Sequence, residues 1–74
     1  MTKAELKTLK AGDIISDKKY GFKFELVKVC TYNTAFNGKV IDLMLIPVDG
    51  QNYKGLYTFE KGYTYINSKR MNKL

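Results

Sequence analysis

Apolar and polar side chains alternate with the period of a strand along most of this chain, after a short opening at the period of a helix. In the opening, Thr2, Lys3, Ala4 and Glu5 have the spacing of a capping box. The Thr2 hydroxyl can accept from the amide three residues on, and Glu5 can reach back to the Thr2 amide. Leu6 and Leu9 follow on one helical face, and Gly12 is placed to end the helix with a left-handed residue. The spacing predicts a short helix over 3–10. Two turns are marginal alone, so Leu6 and Leu9 must dock on something.

The period then becomes two. Ile14 and Ile15 between turn residues predict a first strand, and Lys18-Lys19-Tyr20-Gly21 a polar loop. Over 22–32, Phe22, Phe24 and Leu26 face one way and Lys23 and Glu25 the other; the phase then slips to Val27 and Val29. A slip inside one strand predicts a bulge near Leu26-Val27 and a bend there. Asn37-Gly38 is a tight-turn pair. The stretch 39–49 is apolar on both faces, with Ile41, Leu43 and Leu45 against Val40, Met44, Ile46 and Val48. It predicts a central strand covered twice, the helix being one candidate cover. Pro47 cannot donate to a ladder, so this strand should end at an edge or bulge. After the Asp49-Gly50-Gln51-Asn52 turn, 54–60 and 63–69 read as two strands joined by Lys61-Gly62. Residues 70–74 carry no further pattern and are expected to fray as a tail.

Strands about ten residues apart with turn signals between them predict a mainly β protein: a small five-stranded bent sheet or barrel with a short N-terminal helix. One domain spans 1–74, with the β region over 13–68. The stretch "LKAGDII", residues 9–15, resembles the opening of SH3-like small barrels, where an apolar residue, a Gly-Asp turn and a β-branched pair start the first strand. The resemblance implies a five-stranded barrel with one long bent strand. It implies no one task, since such barrels bind peptides, RNA, DNA or other proteins.

Composition narrows the chemistry. With 74 residues, there is little room for a deep preformed active site. Histidine is absent, which removes the commonest general base and the usual catalytic triads and zinc sites. The six glycines are isolated, so no phosphate loop is present. The carboxylates sit at turns and caps, except Asp42. That residue lies in the most apolar strand and needs a partner, Lys28 or Lys39 being candidates. The expectation is a non-enzyme without a cofactor or metal. The single cysteine, Cys30, is expected as a small core residue and allows no intrachain disulfide, which suits a reducing compartment. The N-terminal residues lack the apolar core of a signal peptide, and no apolar run is long enough to span a bilayer. The expected setting is the cytoplasm of a bacterial or phage-infected cell.

The net charge is +6, and twelve of the thirteen basic residues are lysine. Such a balance favours polyanions, nucleic acid or an acidic protein surface. An AT-rich genome would produce the same lysine content without selection for binding. Four of six tyrosines fall within 53–70, interleaved with basic residues. Strand alternation puts Tyr57, Phe59, Tyr63 and Tyr65 on one side of the last hairpin, as core if they face in or as a base-stacking platform if they face out. The candidate nucleic-acid-binding residues are Lys18, Lys19, Tyr20, Lys23, Lys54, Tyr57, Lys61, Tyr63, Tyr65, Lys69 and Arg70. With one arginine, backbone contacts and weak sequence preference are expected, for DNA or RNA. The alternative is a phage- or plasmid-type regulatory protein that binds a host protein through tyrosine anchors or a free strand edge.

Overall fold

The structure, a computed structural model, describes residues 1–36, 38–50, 52, 53 and 55–74. Its elements are a helix α1 (Lys3–Thr8) and strands β1 (Ile14–Asp17), β2 (Lys23–Thr34), β3 (Gly38–Pro47), β4 (Thr64–Asn67) and β5 (Met71–Lys73), with a 3-10 turn (Ser68–Arg70) between the last two. The strands form one antiparallel sheet in the order β4-β3-β2-β1-β5. The fold is mainly β, as the alternation predicts. The sheet is unclosed, with β4 and β5 as its edges.

The capping box forms: Thr2 Oγ1 accepts from the Glu5 amide (3.1 Å), and Glu5 Oε1 accepts from the Thr2 amide (2.9 Å). The helix stops at Thr8, short of Lys10, because Leu9 is already extended. Gly12 takes its positive φ in the turn that follows. The bulge lies where the phase slips. Leu26 pairs with Leu45 and Lys28 with Met44, which leaves Val27 as the extra residue. It turns Val29 to the side that Phe24 and Leu26 face.

The core is Ile15, Phe24, Leu26, Leu43, Leu45, Ile66 and Met71, so every strand supplies at least one side chain. Leu6 of α1 and Leu9 just after it join this same side. The second cover expected over β3 is therefore not formed by the helix, and Val40, Met44 and Ile46 on the opposite face stay half-buried. Pro47 ends β3 beyond the last residue that pairs with β4, so its missing N–H breaks no ladder bond there.

Three expectations are corrected at the C-terminal end. The stretch 54–60 is not a strand; among its described residues only Glu60 makes a bridge, to Tyr63. The stretch 63–69 is not one strand either, since β4 covers only Thr64–Asn67 and the 3-10 turn follows; the tight turn between the two stretches is present. Lys61 and Gly62 both have positive φ (54° and 86°), and Glu60 and Tyr63 exchange both backbone bonds (2.8 and 3.0 Å). Before Glu60 the chain leaves the ladder, because Tyr53, Tyr57 and Phe59 are drawn onto the core around Phe24. The tail is the third correction. Residues 71–73 pair with β1, and Met71 is fully buried. The short strand is held by the core, not by an alternation that three residues could display. Asn37 of the Asn37-Gly38 turn and Gln51 of the 49–52 turn lie outside the described residues.

Met71→Ala is expected to lower the unfolding free energy by about 2–4 kcal/mol, as a fully buried large-to-small change does. Urea denaturation checks this. A change within about 0.5 kcal/mol would mean that β5 adds nothing to the core.

Candidate polyanion-binding ridge

The 3-10 turn Ser68–Arg70 is the point where the basic residues meet. It forms because Asn67 caps it, its side-chain oxygen accepting from the Lys69 amide (2.9 Å), while Ser68 is buried beneath. Three segments are tied to it. The Lys18 amide donates to the Arg70 carbonyl (2.9 Å), which brings the β1–β2 loop alongside. The Met1 amine donates to the Ser68 carbonyl (3.5 Å). β4 and β5 enter and leave at its ends. Burial first, and then the adjacent Lys18, lower the pKa of the Met1 amine.

Lys69 and Arg70 are adjacent in sequence but open into different grooves. Lys69 shares a groove of about 410 Å³ with Lys3 and Lys39, over a floor that includes Leu6 and Ile41. Among the described residues no acidic side chain lines it. Arg70 shares a second groove, about 340 Å³, with Tyr57, Tyr63 and Tyr65, and with Glu60 at its wall. The turn is thus a basic ridge between a lysine-lined groove and a tyrosine-lined one.

Arg70 is positioned from below by Asp17. That carboxylate is buried (2% exposed), and its Oδ2 accepts from the Tyr20 amide (2.7 Å), which closes the β1–β2 loop. Its Oδ1 lies 3.9 Å from an Arg70 Nη and accepts no hydrogen bond. The Tyr57 hydroxyl is buried near the same carboxylate but out of hydrogen-bonding geometry. Burial, ahead of the Asp17 carboxylate, pushes the Tyr57 phenol up to about 12. Arg70 keeps most of its guanidinium in solvent, so the contact orients it without neutralising it.

Of the candidates read from sequence, Lys18, Lys69 and Arg70 come together at the ridge, and Tyr63 and Tyr65 flank Arg70 with their rings exposed. Tyr57 does not present its ring as they do, since it packs edge-on against Phe24 and Tyr53. The tyrosine ladder is therefore split, with Tyr57 and Phe59 turned in and Tyr63 and Tyr65 turned out. Lys19 lies over the Tyr20 ring (5.2 Å) in the β1–β2 loop, and Tyr20 is exposed. Lys23 pairs with Ser16, and Lys61 sits in the tight turn; neither lines either groove. Lys54 lies outside the described residues.

Lys3 and Lys39 were not among the candidates. They reach the groove from α1 and from the start of β3, and no local pattern could join them to Lys69. Asp42 takes neither Lys28 nor Lys39; its Oδ2 accepts from the Tyr32 hydroxyl (2.5 Å), a bond that raises the Tyr32 pKa. Cys30 stands opposite Asp42 and is half-buried, not a core residue. Phe36, read only as part of a loop, is 98% exposed.

Among the described residues no group of three or more His, Cys, Asp or Glu could hold a metal ion, and no helix is long and apolar enough to cross a membrane. No protein-family model, curated protein or solved structure matches the chain.

The raised Tyr57 pKa has a sign that can be tested. The folded state favours the neutral phenol, so its contribution is fully present below pH 10 and is lost as pH rises from 10 towards about 12. Wild type is expected to lose stability over that interval relative to Tyr57→Phe, in paired urea titrations. Parallel curves for the two proteins would mean that the hydroxyl is not buried.

Proposed function

We propose that the chain is a non-catalytic binding module for nucleic acid, gripping the phosphate backbone of DNA or RNA with weak sequence preference. The carrying observation is the ridge itself. Lys69 and Arg70 stand on a capped turn between two grooves, with Lys18, Lys3 and Lys39 beside them and Tyr63 and Tyr65 next to Arg70. Cations held on ordered backbone contact phosphates with little further loss of freedom, and exposed rings beside them offer a stacking surface to unpaired bases. The single arginine provides one guanidinium fork, too few for extended base readout. The SH3-like reading of residues 9–15 is supported by the five antiparallel strands, though they form an unclosed sheet and not a barrel. It adds nothing to the choice of ligand. The half-buried free thiol of Cys30 suits a reducing cytoplasm, where nucleic acid is at hand.

Fluorescence anisotropy of short labelled single- and double-stranded oligonucleotides, titrated over a salt series, tests this. Binding is expected to be saturable and to weaken steeply with salt. Lys69→Ala with Arg70→Ala should reduce the slope of log K against log salt by about 1 for each cation that contacts a phosphate. Tyr65→Ala should weaken single-stranded binding more than duplex binding. No binding even at low salt overturns the proposal and leaves an acidic protein surface as the polyanion to look for.

A further inference from the structure

β2 is much longer than its neighbour. β1 pairs only with Lys23, Phe24 and Glu25, and two bonds from the loop before it, Gly12 N–H to the Leu26 carbonyl (2.9 Å) and Leu26 N–H to the Asp13 carbonyl (2.8 Å), carry that pairing to Leu26. From Lys28 to Asn33 the outer edge of β2 has no neighbouring strand among the described residues. β4 pairs with β3 no further than Asp42. The far ends of β2 and β3 therefore project as a two-stranded ribbon with Phe36 at its tip, in a molecule 36 Å long and 24 × 22 Å across.

Natural sheets guard such edges with lysine, proline, bulges or a covering segment. Residues 29–36, Val-Cys-Thr-Tyr-Asn-Thr-Ala-Phe, contain no charge and no proline, in a chain of net charge +6. The bulge at Val27 comes before the free segment begins. A two-stranded ribbon is also marginal by itself, and pairing one more strand would support it.

We propose that this edge of β2 is a dimerisation surface, on which β2 pairs antiparallel with β2 of a second copy about a two-fold axis at Thr31. Antiparallel edge pairing is isologous, so one edge supplies both sides of the contact. Residues 29–33 of the free edge are uncharged, and its one lysine, Lys28, lies at the end away from the axis, which lets two molecules of net charge +6 meet without opposing like charges. Its length fits the symmetry. With Thr31 on the axis, Cys30 faces Tyr32, Val29 faces Asn33, and Lys28 faces the uncharged Thr34. Two steps further, Phe36 at the tip of each ribbon reaches the level of Leu26 in the other copy, where the residues leading into β1 already occupy the edge. The free segment is filled without overlap, and the exposed Phe36 gains the start of the second copy's β1 to lie against. This pairing stands whether or not the basic ridge binds nucleic acid.

The single cysteine provides the test. Sedimentation velocity of the whole chain is expected to show a monomer–dimer equilibrium as concentration rises. A nitroxide on Cys30 should show strong dipolar broadening in the dimer. The two-residue offset and one strand spacing put the Cys30 Cα atoms roughly 8 Å apart. Thr31→Lys places two ammonium groups at the axis on an exposed position; it should give a monomer with an unchanged circular dichroism spectrum. The same substitution to Ser should dimerise like wild type. A monomer at every concentration overturns the proposal. So does a dimer without broadening, or one indifferent to Thr31→Lys.

Discussion

One constraint shapes this molecule: five short strands must enclose a core from a single layer. Among the described residues there is no second sheet, and α1 is too short to cover one. Ile15, Phe24, Leu26, Leu43, Leu45, Ile66 and Met71 meet only because the sheet bends, with the bulge at Val27 allowing β2 to turn. The apolar supply is thin, so aromatic residues outside the strands complete the enclosure. Tyr53 and Phe59 pack on Phe24 with Tyr57, and Phe22 joins them. The irregular course of the segment before Glu60 follows from that demand.

The same constraint builds the ridge. The chain must pass from β4 at one edge of the sheet to β5 at the other, and the Ser68–Arg70 turn makes that passage. Ser68 faces the interior, which leaves Lys69 and Arg70 to point away from it. The Lys18 amide and Met1 amine bond to the turn's carbonyls, so further positive charge is drawn to the same place by backbone bonding and not by attraction between side chains. Asp17 offsets part of the repulsion from within. Its carboxylate closes the β1–β2 loop and stands beneath Arg70. The basic ridge is thus carried on a 3-10 turn, while the long free edge of β2 lies elsewhere on the molecule.

Most of the β architecture was legible along the chain because each signal is local. The capping box at Thr2 and Glu5, the phase slip at Leu26-Val27, and the turn at Lys61-Gly62 depend on residues within reach of one another. β2 came from alternation over adjacent positions, β1 from an apolar pair between turn residues, and β3 from a run apolar on both faces. Of the ridge, Lys18, Lys69 and Arg70 could be picked out as charge but not assembled. Lys3 and Lys39 could not be picked out at all, since their relation to Lys69 exists only across the fold.

What the sequence by itself determined was the class of structure and of chemistry: a mainly β chain, rich in lysine, without histidine or paired cysteines. What only the tertiary structure decided was the use of individual side chains. Tyr57 and Phe59 have the same alternation as Tyr63 and Tyr65, yet the first pair is turned in and the second out. Alternation reports which residues share a face of an extended strand, and it loses meaning where the backbone leaves the ladder to fill a core. Met71 shows the converse. No pattern marked residues 71–73 as a strand, but Met71 is fully buried in the core that holds Ile15 and Phe24, and the residues around it pair with β1.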